Sequence, residues 1–154
     1  MSGKGGLAVR LRVDVISTYA LSFLLVQIVV IVIFGYWAMT YHRFATVGSL
    51  YGALSAILMG FVGYAAARHS EKAVFGLVTA VVTLIVTLLL WALSGYLTGA
   101  VPAWHDLMHR AFFSAFDKAA RIGFQAWWVW LLGVAMVVLG SFAGARAARP
   151  VQID

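Results

Sequence analysis

The sequence predicts an all-α, polytopic membrane protein with four transmembrane helices in two hairpins and one interfacial amphipathic helix. Three observations carry that prediction. Residues 15–41, 44–67, 73–101 and 122–145 contain no Asp, Glu, Lys, Arg or His, and each run exceeds the roughly 20 helical residues that cross a hydrocarbon core of about 30 Å. Only 10% of the chain is charged and 64% is hydrophobic, whereas a soluble domain carries about 25% charged residues. Residues 103–121, between the last two runs, place apolar and charged side chains on opposite faces of a helix. Four spans leave too little chain for a separate globular unit, so residues 1–154 form a single membrane domain.

The first span follows a polar segment bearing Lys4, Arg10 and Arg12. Its apolar run of 27 residues is longer than the apolar core of a signal peptide, about 7–15 residues, and is expected to stay in the membrane. Tyr36, Trp37 and Tyr41 close it, rings that suit the membrane–water interface. Gln27 is the one strongly polar side chain near a span centre. Its amide needs a partner there, from another helix or from a solute.

The second span carries small residues four apart: Gly48, Gly52, Ala56 and Gly60. Lipid tails are as apolar as leucine, so membrane helices associate through close van der Waals contact, which small residues allow. Gly140, Gly144 and Ala148 repeat the device in the fourth span. These faces are helix-packing surfaces, with the partner helix in this chain or in another.

The third span holds a threonine stripe, Thr79, Thr83 and Thr87, with Ser94 and Thr98 further along. A membrane threonine bonds the carbonyl four residues back and so hides its hydroxyl. The functional alternative is a polar seam, helped by Gln27, that lines a pore or substrate groove. Trp91 and Tyr96 lie late in this span.

After Pro102, apolar residues fall at Trp104, Leu107, Met108, Ala111, Phe112, Ala115, Phe116 and Ala119. The opposite face carries His105, Asp106, His109, Arg110, Asp117, Lys118 and Arg121. Asp106–Arg110 and Asp117–Arg121 are i,i+4 pairs of opposite sign. Such a helix is expected to lie on the outer surface, aromatic side down, with Gly123 as the bend into the fourth span. The rival is one continuous helix over 104–145, projecting outward. Trp127, Trp128 and Trp130 open the fourth span.

The ends of the second and fourth spans echo one another. Residues 61–68 (FVGYAAAR) and 142–149 (FAGARAAR) agree at five of eight positions. Two hairpins in the same orientation would make a parallel repeat.

Basic residues set the orientation. The N-terminal segment, the second loop (Arg68, Lys72) and the C-terminus (Arg146, Arg149) hold seven of the eleven Lys and Arg. The first loop has Arg43, and the third has Arg110, Lys118 and Arg121. Basic segments stay inside, so both termini are expected in the cytoplasm of a multi-pass cell-membrane protein, with His42 and the third loop outside.

The net charge of +6 is scattered over span ends rather than gathered on one face, which argues against nucleic acid. With no cysteine, disulfides and thiolate metal sites are excluded. No ionisable side chain lies inside a span, so proton relays through a buried carboxylate are disfavoured. The one metal option is His105 and His109 at i,i+4, with Asp106 or His42 as further ligands. Paired haem histidines facing each other within the bundle are not present: His42 and His69 belong to opposite membrane faces. The sequence calls for no cofactor and shows no positioned nucleophile and base.

The glycine-rich end of the second span, Gly60-Phe-Val-Gly63-Tyr-Ala-Ala-Ala-Arg68, a short basic turn and Gly76 early in the third span resemble the small four-span membrane proteins of unknown function of Gram-positive bacteria. That resemblance covers the middle third and implies no catalytic residue. The membrane-embedded Glu of small multidrug transporters is missing. The leading expectation is a non-enzymatic structural or accessory subunit that packs in lipid with itself or within a larger membrane complex. The alternatives are an oligomeric transporter or channel for a neutral or apolar solute, and an outer-face metal-binding protein.

Overall fold

A computed structural model describes residues 13–148, and these are helical nearly throughout, with no strand among them. The helices are α1 (Val13–Tyr41), α2 (Phe44–Ser70), α3 (Ala73–Ala100), α4 (Pro102–Met108), α5 (Ala111–Gln125) and α6 (Trp127–Ala147). Helices α1, α2, α3 and α6 are long and apolar enough to cross a membrane. Lys4, Arg10, Arg12 and Arg149 lie outside the described residues.

Two tight links fold the first three spans. His42 (φ 53°) joins α1 to α2, and Glu71 (φ 60°) joins α2 to α3. A left-handed residue after the last helical turn stops the helix, a role glycine fills without strain and other residues fill at a cost. His42 therefore has a backbone role that its spacing from other histidines did not reveal.

Helix α2 is the centre of the bundle, and the small residues explain why. A Cβ placed on Gly48 would strike the carbonyl of Ala119 and approach the Gly123 nitrogen at 3.0 Å; one on Gly123 would strike the Gly48 carbonyl. Further along, Gly52 faces Val129, Gly60 faces Met136 and Gly140, and Gly144 faces the Tyr64 carbonyl. Contacts on α2 and on α5–α6 thus advance together, so α2 and α6 run in the same direction. The echoed segments 61–68 and 142–149 lie side by side, Gly63 near Ser141 and Gly144 near the Tyr64 carbonyl. The partner of the glycine faces is in this chain. Close backbone approach along this seam supplies the dispersion contacts that hold helices together where lipid offers no hydrophobic drive.

The amphipathic region differs from the expected single helix over 103–121. It is two helices separated at His109–Arg110, where Arg110 adopts extended backbone (φ −57°, ψ 140°). Each half answers to a different neighbour. Trp104 of α4 donates its indole N–H to the Ser94 carbonyl of α3 (3.2 Å), whereas Phe112 of α5 covers Gly35 of α1. The break removes Arg110 from the helical position opposite Asp106, whose carboxylate instead lies 3.7 Å from His105 Nδ1. Asp117 and Arg121 do pair, at 2.7 Å, and this carboxylate raises the Arg121 pKa above its ordinary value through hydrogen bond and charge.

Gly35 and Gly48 both stand within about two turns of the α1–α2 link. Helix α5 touches both, so it crosses the hairpin rather than running along it. Ala115, Ala119 and Ala120 are buried against Phe34, Ala38, Val47 and Tyr51. Lys118 on the other side lies 4.5 Å from the Phe44 ring centroid.

The bend into the last span is at Ala126 (φ −74°, ψ 109°), not at Gly123. Gly123 is helical and buried because its missing side chain admits Gly48. The Trp130 indole donates to the Phe124 carbonyl across the bend (2.8 Å). These breaks rule out a continuous helix over 104–145, and the fourth span begins at Trp127 rather than near residue 122.

Candidate functional site

Three side chains that the sequence leaves unconnected meet in the bundle interior. Gln27 of α1 is 6% exposed. Its amide oxygen accepts a hydrogen bond from the Tyr51 hydroxyl, and its amide nitrogen donates to Ser55 Oγ, both at 3.2 Å. A polar residue on one span is thereby satisfied by two on the next, one helical turn apart. Tyr51 is also an aromatic hub: Phe34, Phe116 and Phe124 lie 5.9, 5.1 and 6.0 Å from its ring, mostly edge to face.

This network forms one wall of an apolar groove of about 290 Å³. Small residues make the space: Gly52 and Ala56 of α2, Ala80 of α3 and Gly133 of α6 all line it. A Cβ on Gly133 would meet only the Ala56 methyl, at 3.8 Å. The rim is formed by Val81 of α3 and by Trp130, Val134 and Val138 of α6, which are 53%, 41%, 63% and 38% exposed. Helices α3 and α6 meet at Gly76 and Ser141. The residues that α3 buries end at Thr83, so the groove opens sideways between these two helices. Its volume lies just under the range of small-molecule pockets, about 300–1,000 Å³.

Among the described residues, the groove wall holds no carboxylate, imidazole, ammonium or guanidinium group. Its polar groups are the Gln27 amide, the Tyr51, Ser55 and Thr87 hydroxyls and the Trp130 indole, all uncharged. Such a lining can orient an uncharged molecule but offers no acid–base pair.

The other sequence-selected residues are placed as follows. Thr79, Thr83 and Thr87 donate to the carbonyls of Phe75, Thr79 and Thr83 at 2.7, 2.7 and 2.8 Å. Thr79 and Thr83 are fully buried, and Thr87 alone of the three lines the groove. Gln27 joins Tyr51 and Ser55 rather than this stripe. Gly48, Gly52, Ala56, Gly60 and Gly144 are buried in the α2 seam, with Gly140 half-buried. The His105 and His109 rings lie with centroids 4.1 Å apart, tilted by 50°, but His42 lies against Phe44 at the α1–α2 link. Among the described residues no three His, Asp or Glu side chains gather as a metal-holding group, so the expected set of His42, His105, Asp106 and His109 is not assembled.

Sequence reading missed Tyr51, Ser55 and Gly133. Tyr51 and Ser55 carry a signal in retrospect, a polar pair at i,i+4 at the depth of Gln27. Gly133 is the one glycine of α6 outside the four-residue series of Gly140, Gly144 and Ala148.

The chain matches no protein-family model, no curated protein and no solved structure in comparisons by sequence and by fold.

Proposed function

We propose that this is a non-enzymatic, multi-pass membrane protein that takes an uncharged apolar molecule from the bilayer into the groove between α3 and α6. The observation that supports this reading is the sideways opening of an apolar cavity whose polar groups are uncharged, with Gln27, Tyr51 and Ser55 bonded together on one wall. The orientation that fits has both termini in the cytoplasm, following the basic residues of the loops. Holding such a molecule suits an accessory role, as a carrier or a lipid-binding subunit of a larger membrane assembly. Transport of the molecule is an extension of the same reading.

Photolabelling in vesicles tests it. An apolar aryl-diazirine probe is expected to label peptides containing Val81 or Val134, and Gly133→Leu, which fills the groove, is expected to remove that labelling. Equal labelling of the variant, or labelling confined to other faces, counts against the reading.

A second reading, self-association through helix packing, has its own observation. The α2 glycines are used inside the chain, but a Cβ on Gly95 or Gly99 would meet nothing within 4 Å. Both lie on the exposed second half of α3, beside Tyr96 at 72% exposure. Because the chain has no cysteine, Gly99→Cys is a clean reporter. A disulfide-linked dimer in native membranes would favour this reading, and a monomer would count against it.

A further inference from the structure

The groove discriminates as well as accommodates. Gln27 carries two amide hydrogens. Ser55 takes one. The other has no acceptor among the described residues, although the side chain is buried and faces the groove. The amide oxygen accepts from the Tyr51 hydroxyl; because both hydroxyls can donate or accept, either orientation of the amide leaves one N–H over.

An unused donor in apolar surroundings is a standing cost that a ligand oxygen removes and a hydrocarbon does not. A charged headgroup gains nothing comparable. No described lining residue carries a compensating charge, and moving an ion out of water without one is far more expensive than a hydrogen bond repays. The remaining walls, including Phe124 and Trp130, suit an apolar body, and the open rim lets a longer chain continue outward.

We infer that the ligand is an uncharged, lipid-like molecule bearing a carbonyl oxygen, seated with that oxygen on the free amide hydrogen of Gln27. This rests on the groove being a binding site, and it adds which molecules are preferred. Gln27 is then a specificity-determining residue, with Tyr51 and Ser55 positioning its amide.

The test is competition against the aryl-diazirine probe by two molecules of equal length, a 2-alkanone and the corresponding n-alkane. With the unmodified chain, the ketone is expected to protect the groove at a concentration about five- to tenfold lower than the alkane, the range one net hydrogen bond supplies. In the Gln27→Leu/Tyr51→Phe double variant, where the Ser55 hydroxyl loses Gln27 but can turn back to the carbonyl four residues earlier, the two competitors are expected to protect equally. Equal protection by ketone and alkane in the unmodified chain overturns the inference while leaving the groove a binding site. Absence of probe labelling in the groove overturns the underlying reading instead. Because the wild-type preference needs no variant, a double variant that fails to fold does not rescue the idea. A ketone preference that persists in a folded double variant also overturns it.

Discussion

Gly48 and Gly123 face one another so closely that neither leaves room for a methyl group: a Cβ on either meets the other's backbone. This reciprocal contact joins α2 to α5 at the point where α5 crosses the first hairpin, and it sets how near α6 can come to α2 below it.

Gly48→Ala and Gly123→Ala should each lose about 1–3 kcal/mol, the cost of overpacking a contact whose obstacle is backbone. Gly95→Ala and Gly99→Ala, with open space around them, should change stability by less than about 1 kcal/mol and in the stabilising direction, as helix propensity favours alanine. Thermal unfolding in a mild detergent compares the four. Equal behaviour of both pairs would contradict the packing described here.

The Gln27–Tyr51–Ser55 network makes a different prediction. Tyr51→Phe should cost about 0.6 kcal/mol, a typical membrane hydrogen bond. Gln27→Leu should cost more, about 1–3 kcal/mol, because it leaves the Tyr51 hydroxyl buried without its acceptor. The double variant should then be more stable than the sum of the two losses implies, and a double-mutant cycle on denaturation free energies reads the coupling. Additive losses would mean that the two side chains do not interact.

Ser141 is fully buried between Gly63 and Gly76, and its hydroxyl has no partner among the described residues. Ser141→Ala should raise stability by up to about 1 kcal/mol by deleting an unsatisfied polar atom. Ser141→Val adds bulk at the same junction and should cost about 1–3 kcal/mol. Unfolding midpoints measured side by side test the sign of each. A destabilised alanine variant would show that the hydroxyl has a partner in the membrane.

Much of this architecture was legible from residues alone. The four uncharged runs match α1, α2, α3 and α6 because the bilayer demands length and apolarity, and both are written residue by residue. Glycine spacing exposed the α2 face but not its partner, since a packing face looks the same whether its mate lies in the same chain. Gly123 was read as a hinge because glycine is permissive; its function instead is close approach. The break at His109–Arg110 has no glycine or proline to announce it; the halves it separates pack on different spans, Trp104 against Ser94 and Phe112 against Gly35. The groove was the least legible feature. It is made of side chains that are missing, from Gly52, Ala56, Ala80 and Gly133, drawn from three helices far apart in sequence.

The central claim is that the groove between α3 and α6 holds an uncharged apolar molecule. Native mass spectrometry of the full chain, extracted mildly from the membranes that produced it, tests that claim most directly. The expected result is a bound neutral species at one per chain that is retained on Gly95→Ala and lost on Gly133→Leu, with both variants folded. A wild-type chain free of any such adduct, or an adduct held equally by Gly133→Leu, would contradict it.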